Sequence, residues 1–300
     1  MARDEIGKQI LNLEGHRSVI ARRPSVGIAL GGGGARGIAH VLALEALDEL
    51  GIRPAAIAGT SMGAVIGAAY AAGLEARIIR SHILRVLRNR SDVIGKLLRA
   101  RVGRFADLVL RGRGNPVLLD PEIFLELFWP ADMPETFESL AVKTSVVATN
   151  YLDRNEIVYR SGPLKPAVAG SMAIPGLFRP VEHGRSVLID GGAVNPLPYD
   201  LLFDNADIVI AVDVTFGGRS RARRMPSPLE SMFGAAQIMQ GAITEQKVRG
   251  RPPHVLIRPK VEQFGLLDFF RAGQILRGAE ESKDELKSAL HAEMKTFRAA

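Results

Sequence analysis

The 300-residue chain has no cysteine, which excludes disulfides, thiolate catalysis and cysteine-ligated zinc and fits a reducing compartment. No stretch has the length and apolarity of a membrane span. The first residues, 1–24, mix both charges, among them Arg3, Asp4, Glu5, Lys8, Glu14, Arg17, Arg22 and Arg23. They lack the apolar segment and small-residue cleavage site of a secretory leader, so a charged extension of a cytoplasmic protein is expected. Aromatic residues are sparse, at 6%, and only Phe105 falls between 77 and 113, the most basic part of the chain. Base stacking therefore has no support there, and no nucleic-acid partner is expected. The six histidines (His16, His40, His82, His183, His254 and His291) show no metal-ligand spacing, and no metal is expected. The sequence is silent on oligomeric state.

Hydrophobic residues make up 47% of the chain and glycine is abundant, at 31 residues. That composition supports a sizeable core with close helix–strand packing. The formal net charge of +7 is unevenly placed. Residues 77–113 hold ten Arg and one Lys against Asp92 and Asp107, a local +9, so the rest of the chain sums to −2. A local basic patch suits an anionic partner, and peripheral contact with the inner membrane face through residues 77–113 is expected. The competing reading is a solvated helix face. In the helix expected over 76–89, Ile78, Ile79, His82, Ile83, Val86 and Leu87 share one side and Arg77, Arg80, Arg85 and Arg88 the other. His82 there suits a packed surface histidine.

Along the chain, buried strand-like runs alternate with helical patterns. Strands are expected at 26–30, 55–58, 142–149, 156–160, 187–189, 208–214 and 254–257. Helices are expected at 35–50, 62–72, 76–89, 120–129, 166–172, 229–248 and 276–297. Asp120 reads as an N-cap with Pro121 in the first turn. Residues 217–228 read as a Gly/Arg/Pro loop. The alternation predicts an α/β fold: a three-layer α/β/α sandwich with a mostly parallel central sheet. The core is expected over 25–215, including the basic helical segment 77–113, with a mainly helical 216–300 packed on the same domain.

Three local motifs can carry chemistry. Gly31-Gly32-Gly33-Gly34-Ala35-Arg36-Gly37 lies between a strand and a helix. Free backbone N–H groups and the positive end of the helix dipole make such a turn an anion site, for a pyrophosphate or for a developing oxyanion. Dinucleotide binding would need a carboxylate at the end of the second strand. That strand ends Ile57-Ala58-Gly59-Thr60-Ser61 instead, and no cofactor is expected. Gly59-Thr60-Ser61-Met62-Gly63 is a G-x-S-x-G at a strand-to-helix elbow, which exposes a serine Oγ at a helix N-terminus. Its plainer reading is Ser61 as a helix N-cap. Asp190-Gly191-Gly192 follows a short buried strand, which would put the carboxylate at the edge where parallel-sheet sites gather. Alone it is an ordinary turn.

In this order the three pieces resemble the patatin-like phospholipase family. Val146-Val147-Ala148-Thr149-Asn150 with Glu156-Ile157-Val158-Tyr159 is similar to the family's central strands. Ala169 to Phe178 is similar to the segment before its aspartate, and Asn195-Pro196-Leu197-Pro198 to the continuation. The likeness runs from about 26 to about 214. Residues 77–113 and those after 215 match weakly and are where substrate choice is expected to reside. The resemblance implies hydrolysis of lipid acyl esters, with Ser61 as nucleophile, Asp190 as its direct proton acceptor, and the amides of Gly32, Gly33 and Gly34 holding the oxyanion. Arg36 has two readings: substrate binding through an anionic headgroup, or tying the loop to a carboxylate or carbonyl. Ser171 reads as a packing residue. Two rivals remain: a Ser-Asp-His enzyme using Ser61, Asp190 and His254, and a membrane-associated regulator of the same fold with little turnover.

Overall fold

The computed structural model describes residues 22–99, 101–102, 118–215 and 225–299. Residues 1–21 of the expected N-terminal extension, residues 100 and 103–117 of the basic segment and 217–224 of the expected loop lie outside these residues. In chain order the elements are β1 Val26–Leu30, α1 His40–Glu49, β2 Ala56–Thr60, α2 Met62–Ala71, α3 Ala76–Arg88, α4 Arg90–Arg99, β3 Arg101–Val102, β4 Leu118–Leu119, α5 Pro121–Leu125, β5 Lys143–Asn150, β6 Asn155–Tyr159, α6 Leu164–Ser171, β7 Val181–His183, β8 Ser186–Asp190, β9 Ile208–Val212, α7 Pro228–Gly250, β10 Val255–Ile257, α8 Ala272–Ala279 and α9 Glu281–Ala299. Local punctuation sets several of these ends. Asp120 caps α5 by accepting from the amides of Glu122 and Ile123, with Pro121 in the first turn. Ser227 and Glu230 form a capping box at the start of α7. The helix expected from residue 35 begins instead as a 3-10 turn, Gly34–Ala39, and becomes α-helical at His40.

The main sheet has the order β10-β9-β1-β2-β5-β8-β7, with β6 on the other edge of β5. The pairings from β10 to β5 are parallel, and those of β5 with β6, β5 with β8 and β7 with β8 are antiparallel. The sheet is mostly parallel, as expected, but Asp190 does not end a parallel strand. One edge of β5 carries two strands in succession. Strand β2 lies along it up to Thr60, opposite Val147, and β8 comes from the other direction to Asp190, opposite Ala148. The two strands meet nearly nose to nose, so their C-terminal residues become neighbours.

The two faces of the sheet differ in side-chain size, because successive residues of a strand point to opposite sides. Val26, Ile28, Leu30, Ile57, Ile208, Ile210 and Val212 belong to the large core shared with α1, α2, α3, α6, α8 and α9. Ala29, Ala56, Ala58, Val209 and Ala211 form the other face, packed on Leu197, Tyr199, Leu202 and Val248 near the end of α7. One layer of the sandwich is thus thick with helices, and the other is a 3-10 turn and a helix end seated close on alanines. In α3 the buried stripe is Ala76, Ile79, Ile83 and Leu87, while Ile78 is 46% exposed. Ile78 is one residue, about 100° of helix turn, from Ile79 and misses the core.

Candidate active site

Strand β2 ends at Thr60, and the chain turns at Ser61 into α2. Ser61 adopts φ 55 and ψ −124, a left-handed strained conformation for a side-chain-bearing residue. The turn closes because Gly63 lies against the Leu30 carbonyl, where a Cβ would collide. The Ser61 amide donates to the Ser171 hydroxyl at 2.9 Å, and that hydroxyl donates to the Val147 carbonyl at 2.5 Å. Ser171 is fully buried. It bridges the elbow to β5 at the position where β2 and β8 meet, a positioning role that the local sequence pattern does not reveal.

The Ser61 hydroxyl donates to Asp190 Oδ2 at 2.7 Å, and the Gly192 amide donates to Asp190 Oδ1 at 2.7 Å. Both residues are buried, at 4% and 5% exposure. Burial pushes the Asp190 carboxyl up to about 6, against the opposing pull of its hydrogen bonds from Ser61 and Gly192. The Thr149 hydroxyl donates to the Asp190 carbonyl at 2.8 Å and holds the strand end on β5.

The glycine loop passes beside this pair, and its amides are unequally committed. Gly31 donates to Val212, Gly32 to Pro196 and Ala35 to Leu266, at 3.1, 2.9 and 2.8 Å. The Gly32 amide is therefore spent, contrary to its expected use as an anion donor. Among the described residues the amides of Gly33 and Gly34 have no protein acceptor, and both residues line the cleft with Ser61 and Asp190. Gly34 sits at φ +55 against the Leu266 carbonyl, a site closed to any Cβ. His40 Nε2 donates to the Gly31 carbonyl at 2.7 Å. Burial pushes this imidazole down to about 4, which keeps it neutral around pH 7.

Arg36 is nine-tenths buried and donates from Nε to the Phe264 carbonyl at 2.7 Å and from Nη2 to Gln237 at 3.0 Å. Of its two expected roles the geometry matches loop-tying, and the guanidinium does not line the cleft. His254 stands before β10 and accepts from the Val209 amide through Nδ1 at 3.0 Å. By strand register it lies three strands away and about five residues back from Ser61, roughly 20 Å. Among the described residues no three His, Asp or Glu side chains gather as metal ligands would.

The cleft above Ser61 has a volume of about 370 Å³. Its far wall is α7, through Met232, Phe233, Ala236, Gln240 and Ile243. On the other side of Ser61 the space is closed by Phe124, Phe178 and Phe269, with ring centroids 5.0 and 5.7 Å apart. The arrangement can pass a proton from Ser61 Oγ to Asp190 and receive a developing negative charge at the Gly33 and Gly34 amides.

The sequence profile of the patatin-like phospholipase family matches residues 28–203. An uncharacterized NTE family protein of Mycobacterium bovis is 35% identical over 201 residues, which cover 67% of this chain and 52% of that protein. Lysophospholipase NTE1 of Saccharomyces cerevisiae is 24% identical over 274 residues, covering 84% of this chain and 16% of that protein. The chain thus spans about half the length of the mycobacterial relative. Among solved structures, VipD from Legionella pneumophila superimposes with a TM-score of 0.50 at 14% identity, over 89% of this chain and 67% of that one. That likeness is one of fold. No helix among the described residues is long and apolar enough to cross a membrane.

Proposed function

The chain belongs to the patatin-like phospholipase family, and from that premise we propose that it hydrolyses acyl esters of lipids through a Ser61–Asp190 pair. The observation that carries this reading is the 2.7 Å hydrogen bond from the Ser61 hydroxyl to a carboxylate whose proton affinity is raised by burial. An ordinary aspartate is too weak a base for a serine; one poised at about 6 is better matched. Asp190 takes the Ser61 proton as Oγ forms a bond to the ester carbonyl carbon. The oxyanion is held by the Gly33 and Gly34 amides. The tetrahedral centre collapses, the alkoxide leaves with the proton from Asp190, and the acyl group remains on Ser61. Water, deprotonated by Asp190, then attacks the acyl-enzyme, and Asp190 returns that proton to Ser61 Oγ as the acyl–serine bond breaks and the fatty acid leaves.

A histidine relay through His254 has no geometric support, given its distance from Ser61. The apolar α7 wall suits an acyl chain, and thioesters would be attacked by the same route. Within α3, part of the positive charge that would face an anionic membrane is already paired. Arg77 is paired with Glu75, and Arg80 with Glu45 and Glu280, which leaves Arg85 and Arg88 on the exposed side of α3.

The test is to incubate the protein with phospholipids, lysophospholipids, neutral glycerides and acyl thioesters and to identify the acyl product. Release of fatty acid from at least one lipid class, lost in Ser61→Ala, is expected. No release from any class, or release undiminished in Ser61→Ala, contradicts the reading.

A further inference from the structure

From Ser231 to Thr244, α7 carries no charged residue; Glu230 and Glu245 bound the stretch. Within it Met232 is 47% exposed, Ile238 74% and Met239 60%, and Ala235 and Ala242 are exposed too. Positions 232, 235, 239 and 242 follow helical spacing and form one stripe, with Ile238 beside it. Contiguous exposed apolar surface of this kind is commonly functional. The other bank of the cleft repeats the pattern. Leu266 lines the cleft, while Leu267 and Phe270 of the same loop are 47% and 38% exposed. Cations sit with that bank: Arg90 lies over the Phe270 ring at 5.4 Å and Arg271 over Phe264 at 4.7 Å.

We propose that the outer face of α7 and the loop around Leu267 and Phe270 form a docking surface for a lipid bilayer, which seats the mouth of the cleft on the lipid. The inference rests on the lipid-ester reading of Ser61. The occupant follows from continuity. Met232 and Met239 belong both to the exposed stripe and to the cleft wall. Apolar surface therefore runs from the outside into the cleft that holds Ser61, and an acyl chain drawn from a bilayer follows it without crossing water. A protein on the same stripe would cover the mouth. An uncharged helix face suits the acyl boundary, while Arg90 suits headgroup phosphates beside it; Arg271 is already paired with Asp268. Flexible methionine side chains adapt to a fluid surface.

Ile238 is the residue to test, because it is exposed and does not line the cleft. Flotation is measured with vesicles of phosphatidylcholine containing a minor share of phosphatidylserine. The protein carries Ser61→Ala, so that turnover does not alter the lipid, and is compared with and without Ile238→Glu. In parallel, turnover of a water-soluble short-chain ester is measured with Ser61 intact, and solution mass by light scattering. The proposal expects Ile238→Glu to lower the vesicle partition coefficient about tenfold or more, because it removes an aliphatic side chain that the bilayer would cover and adds a charge. Soluble-ester turnover and mass should be unchanged. Unchanged flotation in the variant, or no flotation of the parent, overturns the docking surface. A fall in mass on substitution also overturns it, and makes a second copy the occupant. Flotation that responds to Ile238→Glu in a protein that cleaves no ester would sink the hydrolase reading and leave the docking surface standing.

Discussion

On the strand side of the cleft, Gly31, Gly32, Ala35 and Ser61 each donate their amide to a defined acceptor. Across the cleft, α7 meets solvent with Met232, Ile238 and Met239. The first wall is small residues, hydrogen-bonded except at the amides of Gly33 and Gly34, and closed to an added Cβ at Gly33, Gly34 and Gly63. The second is long apolar side chains with room to move. On the proposed reading, chemistry falls to the rigid wall, where a 2.7 Å proton path must be held, and substrate accommodation to the compliant one. The family profile covers only the first wall: it ends at residue 203, before α7 begins at Pro228.

If the rigid wall carries the chemistry, its substitutions should dominate. Ser61→Ala should reduce ester hydrolysis by about 10⁴-fold or more, and Asp190→Asn by about 10³-fold or more, with His254→Ala near the parent. All three are read as kcat/KM on a soluble ester, with melting curves as a folding control. Comparable inactivity of a folded His254→Ala protein would break the assignment of the base. Gly34→Ala comes next. It strains a backbone at φ +55, meets the Leu266 carbonyl and displaces an amide donor, for which a loss of about 10²–10³ in kcat is expected. Retention of full kcat would move the oxyanion site away from Gly34.

Ser171→Ala probes the support rather than the reacting atoms. It leaves the Ser61 amide and the Val147 carbonyl without their shared partner, at a cost of about 1–3 kcal/mol in stability. A fall of about tenfold in kcat with KM unchanged is the signature of a misheld elbow. A stability loss with kcat intact would reduce Ser171 to packing.

The buried Asp190 carboxyl should also cost stability. The carboxyl titrates at about 6 in the folded protein and near 4 when unfolded, so folding favours its protonated form. The penalty is absent below about pH 4, grows between there and about pH 6, and is complete above, reaching at most about 3 kcal/mol. Asp190→Asn should therefore melt higher than the parent at pH 8, with the gain vanishing near pH 4. A variant less stable at pH 8 would mean that the lost hydrogen bonding outweighs burial. On the compliant wall, Ile238→Glu should leave stability within about 0.5 kcal/mol.

The sequence exposes what neighbouring residues determine. The bounds of β1, the start of α2 directly after Ser61 and the cap at Asp120 follow from glycine, proline and apolar punctuation within a few positions. The 3-10 start of the helix after the glycine loop was hidden, because an apolar period does not distinguish the two helix types over a single turn. Strand β8 joins β5 in the antiparallel sense through pairings some 40 residues apart, which no local pattern encodes. The same is true of the Ser171 bridge, 110 residues from the amide it accepts, and of the spending of the Gly32 amide on Pro196. The Arg-rich face of α3 follows from helical spacing, but the partners of Arg80 are not local: Glu45 comes from α1 and Glu280 from the junction of α8 and α9.

The central claim is that Asp190 accepts the Ser61 proton directly. It is tested by the rate at which a fluorophosphonate labels Ser61 between pH 5 and 8, in the parent and in Asp190→Asn. The parent rate should rise with pH through a midpoint of about 6 and then level off, as the carboxylate becomes available. The variant should be slower by about 10³-fold and flat with pH, because its amide has no proton to lose. A variant that keeps the same pH-dependent rise would show that another group is the base, and would contradict the account.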